Sequence, residues 1–256
     1  MVTPVNAWQT AWIIGASSGI GRELARLLDG KIGHVAVSAR SEDKLEKLAA
    51  QCATVVAYPL DVTDADAVAV GVGDIEAAAG PIDLAVLNAG TWQLMDVAEL
   101  DLSAIRTGIE VNYMGVVHAI NALLPGMIAR GRGHIAIVAS VAGYRGLPRS
   151  AAYGPTKAAL INLAETLRIE LAPRGITISL VNPGFVDTPM TRDNPFPMPF
   201  IIPAQQAAQS LLAGLQRQKS EIIFPRTFVF AMKLLRLMPN AVYFWVIRTL
   251  VMKNET

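Results

Sequence analysis

Tyr153 and Lys157 stand four apart in Tyr153-Gly-Pro-Thr-Lys157. A helix turns every 3.6 residues, so that spacing puts the phenol and the ammonium on one face. A free tyrosine titrates near pKa ~10, and a cation within a few ångströms favours the phenolate, bringing the hydroxyl towards the range in which it exchanges a proton with an alcohol or a carbonyl. Ser140 ends the apolar run 134–140 ahead of that helix, where its hydroxyl is expected to hydrogen-bond the same reacting oxygen. Any amphipathic helix contains Tyr-x-x-x-Lys now and then, so this chemistry needs a cofactor site elsewhere in the chain.

The elements that would position these groups alternate in type. An apolar run at 10–14 reads as a strand and is followed by Gly15-Ala-Ser17-Ser18-Gly19-Ile20-Gly21, then by the helical spacing of RELARLLD. Strand, glycine turn, helix is an arrangement that lets backbone approach a pyrophosphate and offers it free N–H groups and the positive end of a helix dipole. A second strand, 34–39, ends at Ala39 and Arg40, where a carboxylate would select a ribose 2′-hydroxyl and a cation a 2′-phosphate. The cation is present, so NADP is expected, with Ser17 and Ser38 as further phosphate contacts. Glu42 is the competing ribose ligand, but Ser41 as N-cap with acids in the first turn already accounts for it.

A third strand, 54–60, ends at Asp61-Val62; here Asp61 is equally suited to capping a turn and Asp64 to capping the following helix. A fourth apolar run, 82–87, ends in Asn88-Ala89-Gly90, small enough for backbone to lie close to a nucleotide. From Glu99 to about Arg130 the period is helical, expected as two pieces with Pro125 near the end, and Asn112 falls inside it, where a buried amide needs partners. After a helix at 156–171, a sixth strand, ITISLV, leads to Asn182-Pro183-Gly184-Phe185-Val186-Asp187-Thr188. Strands alternating with helices imply a parallel sheet whose ligands gather at the carboxyl ends of the strands.

Composition agrees with that class and excludes others. Of 256 residues 52% are hydrophobic and 17% charged, which suits strands buried on both faces. A net charge of +1 gives no electrostatic footprint for nucleic acid. The single Cys52 permits no internal disulfide, and His34, His118 and His134 are scattered, so no metal site is expected. The first twelve residues lack the pattern of a signal peptide, and no long run is free of charge, proline and polar breaks, which makes the cytosol the default location.

The strand-end Ser140, Tyr153-x-x-x-Lys157, Gly15-x-x-x-Gly19-x-Gly21, Asn88-Ala89-Gly90, Asn112 and Pro183-Gly184 together resemble the short-chain dehydrogenase/reductase family over about residues 10–190. The resemblance implies an α/β Rossmann-type doubly wound sheet in a single domain, 1–224, with 225–256 as a helical extension. It implies reversible hydride transfer, with Asn112, Ser140, Tyr153 and Lys157 as catalytic residues. It also implies a nicotinamide nucleotide held by Gly15, Ser17, Ser18, Gly19, Ile20, Gly21, Arg40, Asp61, Val62, Asn88, Ala89, Gly90, Tyr153, Lys157, Pro183, Gly184, Val186 and Thr188. In the family the asparagine matching Asn112 holds a water that links the lysine to solvent, and dimers or tetramers form on the helices around Asn112 and Tyr153. Ile14 departs from the family's usual threonine, and Pro155 inside the motif is acceptable only in the first turn of the helix. Rival readings are a sugar-nucleotide epimerase or dehydratase, an NAD-preferring dehydrogenase, and an NADPH-binding sensor or scaffold without turnover.

Beyond Thr188 the pattern changes. Five prolines between 189 and 203 exclude a regular helix or a central strand, and the phenylalanines, methionines and isoleucines among them suggest an apolar lid, 189–206. With Tyr144, Leu147 and Trp92 nearby, a largely apolar ketone, aldehyde or secondary alcohol is expected; Arg145 and Arg149 either bind a substrate acid or are solvated. The tail, 225–256, carries Arg226, Lys233, Arg236, Arg248 and Lys253 against Glu255, between apolar segments split by Pro239-Asn240. Two readings fit it, a peripheral membrane anchor or a cap over the substrate pocket and a subunit interface.

Overall fold

Parallel strands buried on both faces organise the molecule, a computed structural model that describes residues 8–250. Lys253 and Glu255, counted with the tail above, lie outside the described residues. In chain order the strands are β1 (Thr10–Ile14), β2 (His34–Ser38), β3 (Val55–Ala57), β4 (Leu84–Leu87), β5 (Gly133–Val138), β6 (Ile176–Pro183), β7 (Val186–Asp187), β8 (Ile202–Pro203) and β9 (Glu221–Phe224). The helices are α1 (Gly19–Leu28), α2 (Glu42–Ala49), α3 (Ala65–Ala79), α4 (Leu102–Ile109), α5 (Gly115–Arg130), α6 (Gly154–Leu171), α7 (Ala204–Gln216), α8 (Arg226–Leu237) and α9 (Asn240–Leu250).

Seven strands pair in parallel in the order β3-β2-β1-β4-β5-β6-β9, and β7 and β8 form a separate two-stranded ribbon. This is the expected doubly wound α/β fold. All five residues of β1 are buried, as are all four of β4, which is why both read as unbroken apolar runs. One face is covered by a core in which Trp12, Val72, Ile120 and Leu160 meet Val229 and Met232 of α8. The other is covered by a core that holds Leu24, Leu28 and Leu45 against Leu211 and Leu215 of α7.

Local signals set the ends of the elements. The Asp64 side chain accepts from the N–H of Ala67 and starts α3, and Asp101 does the same for α4 through Ser103 and Ala104. Ser41 occupies the N-cap of α2 but its side chain makes no capping bond. Pro155 falls in the first turn of α6, the one place where its missing N–H removes no helical bond. The expected two-piece helix before β5 is a single helical run from Leu102 to Arg130, in which α4 and α5 are joined by one π-turn, Glu110–Met114. That run is long and apolar enough to cross a membrane, yet Val116, Ala119, Ile120, Leu123 and Met127 are buried in the core. β3 is shorter than the run that suggested it, although the Tyr58 and Leu60 N–H groups still reach the Val37 and Ala39 carbonyls alongside β2.

Candidate active site

Because every strand of the large sheet runs the same way, the segments after β1, β2, β3, β4, β5 and β6 gather along one edge. At β1 the chain turns at Gly15, whose φ of 80° is left-handed, and the Gly15 N–H donates to the Ser38 carbonyl at 2.8 Å. The Asn88 amide donates to the Gly15 carbonyl at 3.0 Å, so the loops after β1 and β4 are stitched together. A Cβ on Gly21 would run into that same carbonyl, which leaves glycine as the residue that lets α1 start this close to the turn. Ser18 caps α1 by position without a side-chain bond, and its first turn holds no acid. The N–H groups and dipole of α1 are therefore available to an anion, and these residues fit the pyrophosphate of a dinucleotide.

Two residues expected to touch a phosphate separate here. Arg40 is exposed just beyond β2 and forms no ion pair among the described residues, so its guanidinium is free to meet a 2′-phosphate. Ser38 is not available, since its side chain is fully buried and its hydroxyl accepts from the Trp12 indole N–H at 2.9 Å. That corrects the expectation of a phosphate contact. Asp61 closes a turn by accepting from both the backbone and the hydroxyl of Thr63, each at 2.9 Å. Val62 is buried and its carbonyl contacts the His118 ring, while Thr188 lies over Gly19 beside the start of α1.

Ser140, Tyr153 and Lys157 converge from β5 and α6. The Ser140 hydroxyl lies within hydrogen-bonding reach of the Tyr153 hydroxyl and also accepts from the Ala142 N–H at 3.1 Å. Lys157 is buried; its ammonium lies 5.4 Å from the centre of the Tyr153 ring and donates to the Val138 carbonyl at 3.0 Å. Tyr153 keeps an edge open to solvent, yet burial of its hydroxyl pushes the phenol up to about 12, against a smaller opposing effect from Ser140. Burial also pushes the Lys157 ammonium down to about 8. The sequence led us to expect the lysine to lower the phenol; in this pocket burial raises it and the opposing effect comes from Ser140.

Asn112 sits fully buried in the π-turn and makes three bonds. It accepts from the Thr91 N–H at 2.7 Å and donates to the Thr91 carbonyl at 3.0 Å and to the Thr156 hydroxyl at 3.1 Å. The side chain thus ties the loop after Gly90 to the first turn of α6, the turn that carries Lys157. Gly90 lies against both Asn112 and Lys157.

The substrate side is bounded by aromatic residues. Trp92 meets the Tyr153 ring edge-on at 5.0 Å, and its indole N–H donates to Asn194 of the lid at 2.9 Å. Phe185, just past Gly184, packs on Phe196 at 6.0 Å and on Phe228 of α8 at 5.1 Å, and Phe200 stands 6.5 Å from Phe228. Phe228 and Asn194 went unremarked in the sequence; the apolar residues of the lid and tail hinted at the first, and nothing local marked the second.

Other expectations for this side are corrected. Tyr144 is buried and donates to Glu221 at 2.6 Å, so it belongs to the support of the site. Burial would raise the Glu221 carboxyl, but bonds from Lys233, Tyr144 and Asn182 outweigh it and hold the group low. Arg145 is neither an acid binder nor a solvated charge. It donates to the Met238 carbonyl at 2.8 Å and to Asn240 at 2.6 Å, and stacks 3.8 Å from the centre of the Tyr243 ring, which fixes α8 and α9 to the segment after Ser140. The histidines are structural, with ring contacts from His34 to Tyr58, His118 to Val62 and His134 to Ser179. Among the described residues no cluster of His, Cys, Asp and Glu is placed to hold a metal.

The short chain dehydrogenase family model matches residues 9–196. The chain belongs to that family. Among its relatives, an uncharacterized oxidoreductase of Myxococcus xanthus is 36% identical over 241 residues, 93% of this chain and 95% of that one. A short chain dehydrogenase from Burkholderia cenocepacia, solved in complex with NADP, superposes with a TM-score of 0.83 at 27% identity, covering 96% of this chain and 99% of that one. A short chain dehydrogenase/reductase from Burkholderia phymatum, solved with NAD, has a TM-score of 0.80 at 24% identity over 88% and 92%, a likeness of fold alone. This member of the short-chain family is accordingly an oxidoreductase built on a Rossmann-type sheet, with an edge suited to a nicotinamide dinucleotide.

Proposed function

We propose that the enzyme reduces a largely apolar ketone or aldehyde, or oxidises the matching secondary alcohol, with NADP(H) preferred over NAD(H). The observation that carries this reading is the convergence of the Ser140 and Tyr153 hydroxyls over the buried Lys157, on the edge that also holds the glycine cradle. When bound, the nicotinamide supplies or accepts the hydride exchanged with the substrate carbon. Tyr153 gives its phenolic proton to the carbonyl oxygen in reduction and takes one from the hydroxyl in oxidation. Held protonated by burial, the phenol is ready for the reductive direction. Ser140 orients the same oxygen, and Lys157 supplies the positive charge that favours the phenolate left after the proton has gone. Asn112 holds the Thr91 loop and the first turn of α6, keeping Lys157 in place, and the relay to solvent is part of the same reading.

The NADP preference is supported by Arg40, exposed and without an ion pair among the described residues, and by Ser17 at the turn; Glu42, in the first turn of α2, is the residue that would favour NAD. Gly15, Ser17, Ser18, Gly19, Ile20, Gly21, Arg40, Asp61, Val62, Asn88, Ala89, Gly90, Tyr153, Lys157, Pro183, Gly184, Val186 and Thr188 are proposed as the cofactor contacts. The apolar substrate is supported by Trp92, Phe185, Phe196, Phe200 and Phe228. A homodimer or homotetramer is proposed through α4 and α6, where Leu102, Ile109 and Ile169 are exposed. We place the enzyme in the cytosol, with a catalytic body, 1–224, and a tail, 225–256, that contacts membrane.

The test is absorbance-followed turnover of the purified protein with NADPH and, separately, NADH on apolar ketones, long aldehydes and short hydroxy acids. NADPH turnover on the apolar carbonyls is the expected result. Preference for NADH overturns the cofactor assignment, preference for hydroxy acids overturns the substrate class, and silence on every pair replaces the enzyme with a nucleotide-binding sensor.

A further inference from the structure

The outer face of α8 and α9 is apolar, cationic and uncovered. Leu237 is 81% exposed, Trp245 68% and Phe230 63%, with Leu234, Val242 and Phe244 also in solvent. Phe230, Leu234 and Leu237 follow one another at four and three residues, a single stripe along α8. From Ile222 to Leu250 the chain has no aspartate or glutamate and four cations, Arg226, Lys233, Arg236 and Arg248. Lys233 is committed to Glu221 and Arg236 lies over Tyr144, whereas Arg226 and Arg248 are exposed without an ion pair among the described residues.

The face is a fixed part of the molecule. Arg145 grips the junction of α8 and α9, and the Tyr243 hydroxyl donates to the Gly146 carbonyl at 2.6 Å. It is also joined to the pocket. Phe228, on the inner side of α8, belongs to the aromatic wall, and its neighbour Phe200 is exposed at the lid tip beside Ile201, with Met190 also exposed at the start of the lid. Apolar residues are thus exposed both at the lid tip, against the aromatic wall of the pocket, and on the outside of the tail.

We infer that the lid tip and the outer face of α8 and α9 form one lipid-facing surface, which seats the enzyme on an anionic bilayer and opens its pocket to carbonyl compounds dissolved there. The seating deepens the membrane contact of the tail proposed above, and the substrate half rests on the proposed reaction. Charge decides between a bilayer and a second copy of this chain. The exposed apolar residues of α4 and α6 stand among both signs, Arg106 and Arg168 with Glu110 and Glu165, so two copies can pair there with charges matched. A two-fold contact of the tail face sets the exposed Arg226 and Arg248 against their own copies, while the acids beside α8, Glu221 and Glu165, share a groove with Lys233, Arg236 and Arg168. Anionic headgroups supply the missing charge, and Trp245 and Phe244 are side chains that settle at the boundary of headgroup and acyl chain.

The full-length protein is sedimented with vesicles of phosphatidylcholine alone and of phosphatidylcholine mixed with phosphatidylglycerol. Binding to the mixed vesicles, weakened by salt and reduced about tenfold or more in Leu237→Ser/Trp245→Ser, is expected. Arg226→Gln/Arg248→Gln should weaken it less. Failure to sediment with the mixed vesicles, or equal sedimentation of the Leu237→Ser/Trp245→Ser protein, overturns the seating. So does light scattering in which that variant turns an oligomer into a monomer, because the face is then a contact between copies. For the substrate half, mixed vesicles should lower the apparent KM for a long-chain aldehyde with NADPH in the wild type and raise it in the variant, where the lipid merely sequesters the aldehyde. Vesicle binding without turnover of any carbonyl confirms the seating and overturns the substrate half.

Discussion

The two ends of the sheet edge are built by different means. Around β1, β2 and β4 the cradle is mostly backbone: the Gly15 N–H bonds to the Ser38 carbonyl, one side-chain amide, that of Asn88, reaches the Gly15 carbonyl, and Gly21 has no room for a side chain. Around β5, β6 and β9 side chains distant in sequence hold the site. Tyr144 reaches Glu221 across 77 residues, Arg145 reaches Asn240 across 95, and Trp92 reaches Asn194 across 102. The first construction fixes a ligand by shape and admits no extra atom. The second separates chemistry from scaffold, so that one functional group can be removed while the fold around it survives.

The change that tests the second construction most severely is Tyr153→Phe. Phenylalanine keeps the ring that meets Trp92 edge-on and loses the hydroxyl beside Ser140. Turnover is expected to fall by about 10³-fold, within the range for loss of a positioned general acid, while nucleotide affinity and melting temperature stay near those of the wild type. Steady-state kinetics with nucleotide titration would check this. Turnover within tenfold of the wild type would remove Tyr153 from the reaction.

On the other side the corresponding single atom is expected to damage everything together. In Gly21→Ala the new methyl meets the Gly15 carbonyl and lies 3.0 Å from the Asn88 amide, both of them fixed by hydrogen bonds. The loop must shift, at a cost of about 1–3 kcal/mol typical of overpacking, and nucleotide affinity should fall with stability. Urea unfolding and nucleotide titration of the same preparation would show it. Loss of affinity at unchanged stability would mean that the cradle is less rigid than its contacts imply.

The same contrast decides what could be read from the sequence. Gly15, Gly19 and Gly21 declare themselves because their spacing along one turn is the geometry, Asn88 because it heads Asn88-Ala89-Gly90 at the end of an apolar run, and Tyr153 and Lys157 because four residues are one helical turn. Pro155 was legible for the same reason, since its place in the first turn of α6 follows from local covalent constraints. Arg145 carries no such mark; its partners lie 90 to 95 residues away on α8 and α9, and an arginine beside a pocket looks the same whether it binds substrate or a helix end. Ser38 misled because its type suited a phosphate while its hydroxyl was already given to Trp12, 26 residues earlier. Asn112 was half legible: burial demanded partners, but that they are Thr91 and Thr156, reached from a π-turn, depends on packing.

Lys157 carries the comparison to its finest point, because here the scaffold bears a cost for the chemistry. Burial moves its ammonium from 10.5 to about 8. Below pH 8 the folded and unfolded chains are both protonated there and the full cost is present, about 3 kcal/mol for a displacement of this size. Between pH 8 and 10.5 the unfolded chain still binds a proton that the folded chain has released, so stability rises with pH across that window. Lys157→Met keeps the apolar stem and removes the charge, at the loss of one bond to the Val138 carbonyl worth about 1 kcal/mol. Without nucleotide, the variant should be more stable than the wild type by about 1–2 kcal/mol at pH 7, and the gain should vanish towards pH 10, as read by urea unfolding at both values. Turnover should be lost throughout. A variant less stable than the wild type at pH 7 would show that the ammonium is a structural tie to β5, and the catalytic side would then be held as rigidly by its functional groups as the cradle is by its backbone.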